Sequence, residues 1–164
     1  MENVFIGKIV NTHGIKGEIR IRSDFERKSA VFKVGNEIII RGVTYKIARY
    51  RVHKEFDMIT LEGLNDINQV LCFKGLNVFV KRENLKLEDN DYLLSDLIDM
   101  NIVLNDENLG TIKDYTTGPN PLLIIENDDK AYYIPLKGNF IKSVDLKNYK
   151  IYVADAVKEL MIWK

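Results

Sequence analysis

The sequence predicts an all-β fold of two small barrels, on three observations. Short segments rich in Val, Ile, Tyr and Phe recur along the chain, punctuated by Gly, Asn and Asp at the spacing of a barrel or sandwich. A polar, acidic stretch without apolar periodicity, RENLKLEDND at residues 82–91, interrupts them. The charges divide at the same place. Residues 1–82 hold eight Lys and seven Arg against three Asp and six Glu, a net +6. Residues 83–164 hold nine Lys and no Arg against ten Asp and five Glu, a net −6. The expected organisation is a first barrel over 1–82, a linker over 83–90 and a second barrel over 91–164.

In the first half the strands read as VFIGKIV, EIRIRS, EIIIRG, TYKIARYRV, DMITLEG and LNVFVKR. EIRIRS alternates cleanly, so Ile19 and Ile21 face one side of a strand and Arg20 and Arg22 the other. One helix is expected over residues 66–73, with Asp66 capping its start and Gly75 following its end. Beyond the linker, MNIVLN, LGTIKDYTT, PLLIIEN, AYYIPL and KIYVAD read as strands. NDEN at 105–108 and NDDK at 127–130 supply residues that tolerate tight-turn dihedrals. A short helix is expected over 155–162. Units of about 80 residues bury a modest core.

Composition excludes several classes. No apolar run is long enough to span a bilayer, and the N-terminus lacks the charged lead and cleavage site of a secretory signal. The single cysteine, Cys72, cannot form an internal disulfide, which suits a reducing cytoplasm. Within the apolar run VLCFKGL it is expected to be a buried packing residue. Only two histidines, His13 and His53, are present, and no Cys/His cluster has metal-ligand spacing. There is no Gly-x-Ser-x-Gly elbow and no phosphate-binding glycine loop with Lys-Ser/Thr. Neither an enzyme, a metal site nor a cofactor is expected; a carboxylate pair assembled in space is the enzymatic alternative.

Binding is the better-supported class. Thr12-His13-Gly14-Ile15-Lys16-Gly17-Glu18 joins two strands, and its glycines permit backbone N–H groups to face an anion beside Lys16. The bland reading is a strand connection that needs glycine for its geometry. Arg49, Arg51 and His53 share one strand face by period-two counting, with Lys54 beside them and Tyr45 and Tyr50 nearby. Exposed cationic strand residues often serve only as solvated edge protection. Together with Lys16, Arg20 and Arg22 they form a surface able to follow an RNA backbone, reading shape rather than bases. In the second half, Tyr92 to Ile98 is expected to be mostly packing, with one or two residues exposed as a protein-binding anchor. Opposite net charges suit a polyanion for one barrel and a cationic protein for the other.

The opening Ile6-Gly7-Lys8-Ile9-Val10-Asn11-Thr12-His13-Gly14-Ile15-Lys16-Gly17-Glu18-Ile19-Arg20 resembles the signature of RimM ribosome maturation factors. The resemblance continues through Leu61-Glu62-Gly63, Asp66, Tyr92, Asp96-Leu97-Ile98, Leu109-Gly110 and Ile134-Pro135. It ends with Ile141 to Leu146 and Ile151-Tyr152-Val153, and so spans nearly the whole chain. It implies a translation-factor-like N-terminal barrel followed by a PRC barrel, with short helices. It also implies a non-enzymatic, cytoplasmic assembly factor, expected to be a monomer with no membrane association. Such a factor binds the immature small ribosomal subunit, contacts ribosomal protein S19 of the subunit head, and supports 16S rRNA processing. The ribosome- or RNA-binding residues expected are His13, Gly14, Lys16, Gly17, Arg20, Arg22, Arg49 and Arg51; the implied protein contact falls on Tyr92 and Leu93. The chain departs from the family where Leu93 replaces a second tyrosine and Asp99 a glycine. Pro119 and Pro121 also stand where the family favours a small residue and Asp. A general RNA-binding adaptor with a protein-docking second barrel is the alternative.

Overall fold

The computed structural model describes residues 2–161, and the chain divides into two units after Leu87. Moving the boundary from 82 to 87 adds one Glu and one Lys to the first unit, so the net charges stay +6 and −6.

The first unit is a closed antiparallel barrel. Its strands are β1 (Asn3–His13), β2 (Glu18–Arg22), β3 (Glu37–Ile40), β4 (Val43–His53), β5 (Phe56–Leu61) and β6 (Asn77–Lys81), in the order β1-β2-β5-β4-β3-β6. Bulges at Phe5/Gly7 and Ile9/Asn11 bend β1, and one at Ile47/Arg49 bends β4. They let two 11-residue strands curve around a small barrel. Isoleucines fill the interior: Ile6, Ile9, Ile19, Ile21, Ile38, Ile40, Ile47 and Ile59 are all at most 1% exposed. Each contributes roughly 2 kcal/mol of hydrophobic burial.

Two short helices complete this unit. α1 (Lys28–Val31) delivers Phe32, whose ring stacks on Tyr50 at 5.8 Å with planes 10° apart. Tyr50 Oη donates to Asp57 Oδ1 at 2.6 Å, and Lys28 Nζ lies 2.8 Å from Asp57 Oδ2. The buried carboxylate thus has both a donor and a counter-charge. α2 (Ile67–Val70) begins as expected at Asp66. The Asn68 N–H donates to Asp66 Oδ1, and the Asp66 N–H donates to Gln69 Oε1, a reciprocal cap. The chain then tightens into a 3-10 turn, Leu71–Phe73. Here one expectation fails. Val70 and Phe73, three residues apart, turn inward, which leaves Cys72 exposed. Tyr45 packs edge-on against Phe73 at 5.5 Å. The polar seam also begins within this unit. Arg82–Leu85 form a 3-10 turn, Leu85 is buried, and the Arg82 N–H donates to the Glu2 carbonyl.

The second unit contains β7 (Asn101–Leu104), β8 (Glu107–Tyr115), β9 (Leu122–Asn127), β10 (Lys130–Pro135), β11 (Ile141–Asp145), β12 (Lys150–Val153) and α3 (Val157–Leu160). They form a six-stranded sheet in the order β10-β9-β8-β7-β12-β11, antiparallel except between β12 and β7. β11 was not among the strands read from the sequence. The two hairpins close with two-residue turns. Asn105 and Asp106 both adopt positive φ, as does Asp128. Asp99 also sits at φ +72, a conformation glycine adopts without steric cost. One core gathers Leu97, Met100, Ile102, Ile112, Ile125 and Ile151 from the sheet and its leading turn, with Val157 from α3. The helix expected over 155–162 is this single turn; its last expected residue, Ile162, lies outside the described residues. Tyr132 donates from Oη to the Leu109 carbonyl at 3.1 Å.

Each unit holds a phenol pushed up to about 12: half-buried Tyr50 by desolvation and then by the bonded Asp57, and buried Tyr132 by desolvation. Between the ordinary value of 10.0 and about 12, the unfolded chain releases these protons while the folded chain retains them. Stability is therefore undiminished below that window and falls as pH rises through it. Calorimetric melting across this range should show the fall, and Tyr50→Phe and Tyr132→Phe should each flatten it.

Candidate nucleic-acid interface

The register of four adjacent strands, β1, β2, β5 and β4, assembles most of the predicted residues on the outside of the first barrel. Ile19 pairs with Ile59 toward the interior, so Arg20 and its partner Met58 point outward. Continuing the ladders gives three rows across the outer face. His13 pairs with Glu18, and Thr60 pairs with Arg49. Asn11 pairs with Arg20, Arg20 with Met58, and Met58 with Arg51. Lys8 pairs with Arg22, and Phe56 with His53. Six of these positions are Lys, Arg or His beside Arg49, and Glu18 is the one carboxylate. The charge is concentrated by pairing between distant segments.

Packing fixes several of these cations. The guanidinium carbons of Arg20 and Arg22 lie 5.1 and 5.4 Å from the centre of the Phe56 ring, within cation–π range. An Arg20 terminal nitrogen meets His13 Nδ1 at 3.1 Å, while Arg20 Nε is buried without a hydrogen-bond partner. Met58, although directed outward, is 0% exposed. Its ladder partners on the two flanking strands are Arg20 and Arg51. Arg51 forms a two-pronged bond to Glu18, both contacts at 2.8 Å. That bond, before any other cause, holds the Glu18 carboxyl below its usual range. His13 and His53 rings lie 5.7 Å apart. His53 is held below its ordinary value by desolvation and then by the neighbouring Arg51, Lys54, His13 and Arg20 charges.

The connection between β1 and β2 is shaped by its two glycines. Gly14 has φ +69 and open space around it, whereas Gly17 has φ +88 and lies against the Leu64 carbonyl where a Cβ has no room. Gly17 is buried and so serves the fold. Gly14, Ile15 and Lys16 are exposed and border a depression of about 680 Å³ that also reaches His13, Arg49 and Arg51. The predicted set thus separates. Arg22, Arg49 and Lys16 are exposed, Arg51 is paired with Glu18, and Arg20 is half-buried. In the second unit Tyr92 is half-buried, its phenol raised by burial, and Leu93 is 1% exposed, with no surface to offer a partner. Sequence reasoning missed Lys8, Phe56 and Glu18. The first has a signal in the outward positions of β1; the others join the face only through strand pairing.

Residues 4–85 match the RimM N-terminal domain family, and residues 94–158 match the RimM PRC barrel domain family. A Staphylococcus aureus protein named ribosome maturation factor RimM is 35% identical over 158 residues, covering 92% of this chain and 94% of its own. The chain belongs to the RimM family. Among solved structures, a RimM protein from Pseudomonas aeruginosa aligns with 95% of this chain and 99% of its own at 24% identity and a TM-score of 0.42. The N-terminal domain of RimM from Thermus thermophilus aligns with 52% of this chain at 21% identity and a TM-score of 0.45. Among the described residues, no group of three or more His, Cys, Asp or Glu is arranged to hold a metal, and no helix is long and apolar enough to cross a membrane.

Glu18 is the one acidic group within the three rows, and Arg51 is its captive. Glu18→Gln should therefore release a cation and strengthen anion binding. The expected outcome is elution from heparin at higher salt than the parent protein; earlier elution would show that the fork positions Arg51 for binding.

Proposed function

We propose that this RimM-family chain is a non-enzymatic ribosome assembly factor that binds the immature small subunit. The first barrel lays its basic outer face on 16S rRNA, and the second unit, with net charge −6, docks a cationic protein of the subunit head, ribosomal protein S19. Together they favour one folding state of the head and so support rRNA processing. Such a role needs only tighter binding to one state of the particle than to another. The observation that carries the reading is the collection of Lys8, Arg22 and Arg49 on one exposed face beside Arg20 and Arg51. The curated relative's name, ribosome maturation factor, agrees with it. The protein acts as a cytoplasmic monomer without a cofactor.

Arg20 is packed against His13 and Phe56, so reversing its charge would disturb the fold as well as binding. Lys8 and Arg22 are exposed ladder partners and suit such a reversal better, because the contacts of Arg22 with Phe56 and with Glu55, 4.0 Å away, lie at the surface and none of its atoms is buried unpaired. Tyr92, the more accessible of the two implied protein-contact residues, is the corresponding probe in the second unit.

Sedimentation of a lysate decides the matter. The parent protein should travel with immature small subunits and be absent from mature ribosomes. Lys8→Glu with Arg22→Glu should reduce that co-sedimentation at least about tenfold at physiological salt with an unchanged melting profile, since each lost phosphate contact lowers affinity and its salt slope. Uniform association with any RNA would support the adaptor reading instead, and undiminished co-sedimentation of the double variant would remove the basic face from the mechanism.

A further inference from the structure

Phe5 is the one exposed aromatic side chain among the described residues of the first unit, with 51% of its surface open. Other rings near the basic face are engaged. Phe56 lies under two guanidinium groups, and Tyr50, whose ladder partner Ile59 points inward, is stacked on buried Phe32. Val4 and Ile6 on either side of Phe5 are buried in the barrel, so Phe5 itself stands on the outer face of β1. It packs edge-to-face against Phe79, its ladder partner on β6, with ring centres 5.9 Å apart and planes at 71°. Such a contact orients the Phe5 ring and engages at most one of its two faces.

Cations flank the two rings. The bulge at Phe5/Gly7 brings Lys8 onto the same outer face, where it is the ladder partner of both Arg22 and Asn77. On the other side of Phe5, Asn3 pairs with Lys81. The outward positions Asn3, Phe5, Lys8, Asn77, Phe79 and Lys81 thus include no carboxylate. Lys8 and Lys81 make no ion pair or side-chain hydrogen bond among the described residues. Lys8 and Arg22 also belong to the basic face, so a polyanion lying across that face arrives at Phe5. A base within a duplex has no free face to offer, whereas an unpaired one can stack on an aromatic ring while its phosphates meet the cations. A lysine- and arginine-rich protein would be repelled by the same residues.

We infer that Phe5, held in place by Phe79, is a stacking platform for one unpaired base of single-stranded RNA, whose flanking phosphates lie on Lys8 and Lys81. The inference rests on the reading of the basic face as RNA-binding and narrows it. The barrel prefers an unpaired segment to a helix of equal charge.

Fluorescence anisotropy with the full chain tests it, using a labelled oligouridylate of about 16 nucleotides and an RNA duplex of about eight base pairs, so that the charges match. The oligouridylate should bind roughly tenfold more tightly. Phe5→Leu, which removes the ring at an exposed position, should cancel that preference without weakening the duplex, and Phe5→Trp should retain it. Lys81→Gln should weaken the single strand more than the duplex. Ultraviolet irradiation of the parent complex should join the oligouridylate to the segment carrying Phe5, and this decides the matter if Phe5→Leu is misfolded. Equal or tighter binding of the duplex, an unchanged preference in Phe5→Leu, or cross-linking confined to other segments would overturn the inference. Competition by poly-glutamate as effective as that by oligouridylate would overturn it too, in favour of an acidic protein ligand. So would a dimer of the chain that Phe5→Leu dissolves. If the duplex binds and Lys8→Glu with Arg22→Glu abolishes its binding, but no single-strand preference exists, the stacking platform fails while the assembly reading stands. If neither RNA binds, both fail.

Discussion

The two-residue alternation of β2 is the constraint on which the first unit turns. Ile19 and Ile21 must point into a closed interior, and the pleat then leaves Glu18, Arg20 and Arg22 no choice but the outside. A slip of one residue would place two guanidinium groups among the isoleucines, at a desolvation cost far above the stability of a barrel this size. Register is therefore enforced by the core, and the binding face is specified by the same decision. Closure of β1 onto β6 adds to this, because a ring of strands has no free edge along which to slide.

Gathering cations in this way raises mutual repulsion, and the surroundings moderate it unevenly. Arg51 is neutralised by Glu18, whereas Arg20 and Arg22 both lie against the Phe56 ring and Arg22 also faces Glu55 at 4.0 Å. Lys16 and Arg49 are left to solvent. Cations held by a partner position themselves without serving an anion at full strength; solvated ones are free to do so. Net charge alone would have treated all of them alike.

Local chemistry made much of the fold legible. The alternation of EIRIRS, the Asp66 cap and the two Asn/Asp turns are each decided within a few residues, and each forms where the sequence indicated. What could not be read depends on distant pairing. The Glu18 and Arg51 fork joins residues 33 apart, and nothing near Phe56 indicates that two arginines will cover it. Cys72 and Leu93 fail for a related reason. An apolar run does not say which of its members a tight helical turn directs inward, and a residue judged by resemblance to be a contact can be wholly buried. β11 escaped because Ile141–Asp145, with Lys142 and Ser143 outward, has a short and weak apolar signal.

The position of β12 constrains the order in which the second unit comes into being. Lys150–Val153 lie between β7 and β11, parallel to the first and antiparallel to the second. Until that segment has been synthesised, β7 has one naked flank and β11 has no neighbour at all. The hairpins β7-β8 and β9-β10 can form early from nearby residues, but the sheet waits for its penultimate element. A nascent chain halted before residue 150 would thus display a half-made sheet with apolar residues uncovered, a target for chaperones and proteases.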